Sequence, residues 1–132
     1  MEDFTPEQVT VIATGYQSMA RALNEFQTRR WSEFSHEQQL DLNAYQNSLL
    51  NRAQDLQALV VRPAFNNTAE MTAYIVQALY KAEDNLKHIR NLTVALNVGA
   101  ITVALASYVA RANLRGIQTA LRELGNLLVV EE

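Results

Sequence analysis

Cysteine is missing from all 132 residues, which excludes disulfides, thiolate metal sites and thiol chemistry. Proline occurs twice and glycine four times, so the backbone has few places to turn sharply, and this scarcity points to long helices. The glycines are isolated at Gly15, Gly99, Gly116 and Gly125, so no phosphate-cradling loop exists. Ser18, Ser32, Ser35, Ser48 and Ser107 lack the setting of a nucleophile elbow. No enzyme, no cofactor and no catalytic residue is expected on these grounds. Positive charge is the minority sign, 11 Lys and Arg against 14 Asp and Glu, for a net charge of -3. A general phosphate-seeking surface is not built this way, and nucleic acid is not an expected partner. The start, Met1-Glu2-Asp3-Phe4, lacks the basic and apolar regions of a secretory signal, so a cytoplasmic protein is expected.

Charge is also missing locally. Between Arg90 and Arg111 there is none, and the run Asn91 to Ala110 is as long and apolar as a bilayer-spanning helix, which needs ~20 residues. A buried bundle helix has the same composition. Asn91, Thr93, Asn97, Thr102 and Ser107 carry polar groups that are costly in hydrocarbon, which favours protein contact over lipid.

Helix starts are present in plain form. Thr5-Pro6-Glu7-Gln8 combines a capping threonine, a proline at the first helical position and a glutamine able to reach back. Val9, Ile12, Tyr16, Met19, Leu23 and Phe26 follow at spacings of three and four, one stripe of a helix over about 6–30. Ser35-His36-Glu37-Gln38 repeats the box and opens a helix over about 36–61, with Leu42, Tyr45, Leu49, Ala53, Leu56 and Val60 facing inward until Pro63 stops it. Trp31 and Phe34 between them are expected to plug the end of the core.

Asn67-Thr68-Ala69-Glu70 marks a third start. From Ile75 an apolar seam continues through Leu79, Ala82, Leu86, Ile89, Thr93, Leu96, Ala100, Val103, Ser107, Ala110, Leu114, Ile117, Leu121, Leu124 and Leu128. Two readings compete. Residues 68–129 form one continuous helix in a three-helix arrangement, or Asn97-Val98-Gly99 is a turn separating helices over about 68–97 and 100–129. Matched lengths favour the second, so the expected fold is a single all-α domain over 1–132, an up-down bundle of four long helices.

In either case two companion helices leave the apolar run incompletely covered. Val94, Leu96, Val98, Gly99, Ile101, Val103, Leu105 and Val109 are therefore the expected contact surface of a non-catalytic assembly protein, a homo-oligomer or the binder of another protein. A membrane-inserting hairpin of the pore-forming or lysis type is the alternative, and a bundle with a small-ligand or metal pocket is another. Asp84 and His88, one turn apart, are the candidate metal ligands, although a surface role suits two isolated side chains better. Ten amides from Asn24 to Gln57, including Gln27, Gln39, Asn43 and Gln46, are expected on outer helix faces suited to self-packing.

Overall fold

Two of the helix starts carry the reciprocal bonds that their sequences require. Gln8 N donates to Thr5 Oγ1 at 3.1 Å while Thr5 N donates to Gln8 Oε1 at 2.9 Å, and Ser35 with Gln38 repeats this at 3.2 and 2.9 Å. The computed structural model describes residues 4–58 and 67–131. Five helices pack together: α1 (Pro6–Arg29), α2 (His36–Ala58), α3 (Thr68–Leu86), α4 (Leu92–Ala110) and α5 (Leu114–Glu131). A single 3-10 turn, Trp31–Glu33, links the first two, and no strand occurs among the described residues. The expected end of α2 near Val61, with Val60 and Pro63, lies outside the described residues.

Neither reading of the second half holds. The chain breaks at 87–91 and again at 111–113, while Asn97, Val98 and Gly99 sit inside α4. The reason is local capping. Asn91 Oδ1 accepts from Thr93 N at 2.9 Å and Val94 N at 3.4 Å, and Asn113 Oδ1 accepts from Gly116 N at 2.9 Å, so each asparagine opens a new helix. Asn67, in contrast, makes no side-chain cap; its Nδ2 donates to Glu70 Oε2 at 2.8 Å instead.

Side-chain pairs fix how the helices lie. Asn24 and Gln27 of α1 meet Gln46 and Asn43 of α2, an antiparallel register. Gly15 abuts Leu79, and Arg29 Nη2 donates to Leu86 O at 3.2 Å, so α3 runs alongside α1 in the same sense. Arg30 Nη2 reaches Arg90 O at 3.0 Å, which places the start of α4 at the end of the bundle where α2 also starts. α4 then packs between α2 and α5, and α5 returns along α3 to close a ring of five.

The core is one cluster. Val9, Ile12, Tyr16, Met19, Leu23 and Phe26 are all buried as their spacing predicts, as are Leu42, Leu49, Ala53 and Leu56 of α2. The exposed area is 7407 Å², close to the ~7,000 Å² that a folded monomer of this mass leaves to water. α5 is a companion of α4 rather than a continuation of the same helix, and 39 % of the apolar stretch of α4 is buried inside the fold.

Candidate interaction surface on the fourth helix

α4 has one face inside and one outside. Ala95, Val98, Gly99, Thr102, Leu105, Ala106 and Val109 are buried, and the Thr102 hydroxyl is satisfied by donating to Gly99 O at 2.8 Å. Gly99 has a packing role: a Cβ there would stand 2.8 Å from the Tyr45 ring and 3.4 Å from Leu23. The residue read as a turn former instead makes room inside α4 for the Tyr45 ring of α2. Of the expected contact surface, Val98, Gly99, Leu105 and Val109 are enclosed by the chain's own helices, whereas Val94, Leu96, Ile101 and Val103 are half-buried.

The outer face runs Thr93, Asn97, Ala100, Ala104 and Ser107, at steps of four and three. Thr93 and Asn97 are exposed and the other three half-buried, so a smooth strip without charge faces outward between Leu96 and Val103 on one side and Ile101 on the other. The long seam read from sequence runs along this outer face within α4, because the break at 87–91 rotates the helix relative to α3. Beside Ile101, a shallow groove of about 390 Å³ is lined by Asn97, Ala100, Ile101, Glu123, Asn126 and Leu127.

Both ends of α4 are pinned. At its start, Arg29 and Arg30 lie over the Phe26 ring, 5.8 and 5.4 Å from its centroid, and donate to the carbonyls of Leu86, Ile89 and Arg90. Arg30 also pairs with Glu33, and this hydrogen-bonded partner holds the Glu33 carboxyl below its usual range. At its end, Ala112 N donates to Val109 O and Asn113 N to Tyr108 O, a helix-terminating motif that puts Ala112 at φ 51°. Tyr108 then lies over Gly116 of α5, where a Cβ would come within 2.5 Å of the ring.

Of the amides expected on outer faces, Asn24, Asn43, Asn47, Asn51, Gln54 and Gln57 are exposed, but Gln27 and Gln39 turn inward. Gln27 is 1 % exposed and Gln39 8 %. Gln39 Nε2 donates to Trp31 O at 2.8 Å, Gln27 Nε2 to Gln39 Oε1 at 2.6 Å and Asn43 Oδ1 at 3.1 Å, Gln46 Nε2 to Gln27 Oε1 at 2.7 Å, and Asn24 Nδ2 to Gln46 Oε1 at 3.2 Å. This relay is an internal seam between α1 and α2. No signal in single-residue spacing separates it from a polar surface, except that Gln27 follows Phe26 on the edge of the buried stripe.

Other candidates disperse. Phe34 is buried against Phe26 with ring centroids 6.0 Å apart, but Trp31 is 58 % exposed and does not plug the core, because the 3-10 turn swings it outward. Asp84 is exposed on α3, and exposed His88 lies in the turn just beyond that helix's end. Among the described residues no three His, Asp or Glu side chains converge on a metal-sized site. Tyr16 is 1 % exposed, its hydroxyl has no partner among the described residues, and burial pushes its phenol well above the usual range.

No protein-family model, curated protein or solved structure matches the chain. α4 remains long and apolar enough to cross a membrane, with mean hydropathy 1.8 and 39 % of it buried inside the fold. The core helix of a soluble bundle meets the same measure.

Proposed function

We propose that this chain is a non-catalytic up-down helical bundle that assembles with a second copy of itself through the outer side of α4. The supporting observation is the charge-free outer face from Thr93 to Ser107, flanked by half-buried Leu96, Ile101 and Val103. The other helices turn charges outward: Glu7, Arg21 and Glu25 on α1, Glu37, Asp41 and Asp55 on α2, Glu70, Lys81 and Asp84 on α3, and Arg115, Arg122 and Glu123 on α5. A neutral strip meets its own copy without like-charge repulsion, although the whole chain carries a net charge of -3. Because the monomer's core is already closed, association adds to folding and is not a condition of it.

Light scattering of the purified chain over a dilution series tests this. A mass of two chains that dissociates on dilution is expected. Ala104→Glu on the outer face should leave circular dichroism and melting temperature near wild type and give only the monomer. A wild-type chain that stays monomeric at every concentration overturns the proposal. So does one that floats with lipid vesicles in a density gradient, which would assign α4 to a bilayer.

A further inference from the structure

We infer that the chain carries a separate ligand site, the groove between α3 and α5 over Gly125, which takes a small flat aromatic molecule bearing one negative charge beside Lys81. The starting point is a glycine without an internal task. A glycine inside a helix weakens it relative to alanine, so its use there is explained by a backbone conformation or a close approach that a side chain would forbid. No glycine among the described residues has a positive φ. Gly15 faces Leu79, Gly99 the Tyr45 ring and Gly116 the Tyr108 ring, each of them under 3.0 Å from where a Cβ would stand. Around Gly125, well inside α5, nothing among the described residues lies within 4 Å of that position.

The open room is a groove of about 260 Å³. Buried Leu124 and Leu128 line it together with half-buried Ala78 and Leu121, and exposed Tyr74 and Lys81 stand along its α3 rim. Its size is just under the ~300 Å³ at which drug-sized sites begin, which suits one ring system rather than a docked helix. Bare backbone at Gly125 lets a flat ring lie directly on α5, as the Tyr108 ring already lies on Gly116.

Charge at the rim selects the sign of the ligand. Lys81 forms no ion pair among the described residues, not even with Asp84 three positions on. Glu70, ~16 Å back along α3, is already engaged, since it accepts from the Tyr74 hydroxyl at 2.8 Å and from Asn67 Nδ2 at 2.8 Å. On α5, Arg122 three positions before Gly125 is positive as well, while Glu123 lines the groove on the α4 side instead. A carboxylate or sulfonate on an aromatic ring therefore answers both the bare backbone and the unspent ammonium. The site stands whether or not copies associate through α4.

Titration of the chain with 2-naphthoate, followed through its backbone amide NMR signals, tests the site. Saturable shifts centred on Ala78, Leu124 and Gly125 are expected, with a dissociation constant of about 1 mM for a ligand of this size. Naphthalene-2-carboxamide, the same ring without the charge, should bind about threefold more weakly, and Lys81→Met should abolish that difference. Gly125→Leu fills the groove and should remove binding while its circular dichroism stays like wild type. Gly125→Ala, without ligand, should raise the melting temperature by about 3 °C, because nothing in the described chain needs the missing side chain. No saturable shift up to about 10 mM, shifts centred elsewhere on the bundle, or undiminished binding by folded Gly125→Leu overturns the site. Equal affinity for the two naphthalenes overturns its preference for an anion, and a lower melting temperature for Gly125→Ala overturns the reading of the glycine.

Discussion

Two seams of this bundle are closed in opposite ways. Between α1 and α2, amides pass hydrogen bonds head to tail from exposed Asn24 through half-buried Gln46 to buried Gln27 and Gln39 and the Trp31 carbonyl. Between α4 and α5 no such bond occurs among the described residues; the Tyr108 ring lies over the bare backbone of Gly116. The first seam is directional, since slipping by one residue would strand each amide against the wrong neighbour. The second is steric: the Tyr108 ring fits where Gly116 leaves out a side chain. The polar seam belongs to helices whose outer faces carry charge, the steric one to the hairpin whose first helix, α4, presents an uncharged face.

Breaking the polar seam should have the largest effect. Gln27→Ala removes the residue that both donates to Gln39 and Asn43 and accepts from Gln46. A loss of about 3 kcal/mol in urea unfolding is expected, because it leaves buried amides without partners; a loss below about 0.5 kcal/mol would mean that water replaces the relay. Gln27→Glu adds a pH dependence. Burial raises the folded pKa of the new carboxyl above its unfolded value of ~4.3, so the variant is closest to wild type in acid and loses stability as pH rises.

At the steric seam, Gly116→Ala brings a methyl within 2.5 Å of the Tyr108 ring. The ring is half-buried and has to shift, at a cost of about 2 kcal/mol, measured by thermal melting. Adding Tyr108→Ala should recover part of the loss, a coupling that separates a clash from a mere change in helix propensity. Full additivity of the two substitutions would argue that the seam is not steric.

What the sequence revealed follows from this contrast. The stripes of α1 and α2 were legible because polar residues interrupt them at helical spacing, so only one phase buries the apolar set. α4 was not, since nearly any phase through Leu92 to Ala110 is apolar and a seam drawn through Leu96, Ala100 and Val103 looks as good as the buried one through Ala95, Val98 and Thr102. The same uniformity hid the breaks. Asn91 and Asn113 cap new helices without a glycine or proline in the linking segments, whereas Gly99, the conspicuous small residue, serves a close approach. Arg29 and Arg30, at the end of α1, hold the α3–α4 connection by its carbonyls, a role set by tertiary neighbours some 57 to 60 positions away.

Tyr16 of α1 is a buried polar group outside the amide relay. Its hydroxyl lies in the core without a partner among the described residues, near Arg52 of α2. Tyr16→Phe should therefore hold or raise stability, by up to about 1 kcal/mol in urea. The sign in alkali is also determined. With the folded phenol's pKa raised above the unfolded value of ~10, Tyr16 contributes stability below pH ~10 and loses it as pH rises, so the phenylalanine variant should unfold at higher pH than wild type. Coincident alkaline transitions would assign that unfolding to other groups.

The smallest effect sharpens the account of the steric seam, because the turn that feeds it is built on an alanine. Ala112 has φ 51°, a left-handed conformation that costs an L-residue ~1–2 kcal/mol. Ala112→Gly removes that strain, gives back ~0.5–1 kcal/mol through the more flexible unfolded chain, and forfeits up to ~0.4 kcal/mol from a half-buried methyl. The terms leave a net gain of about 0.5 kcal/mol, read as a small rise in melting temperature. If the variant is instead less stable by more than that, the Ala112 methyl packs the end of the hairpin better than its backbone strain costs, and the turn is held by side-chain contact rather than by the bonds to Val109 and Tyr108.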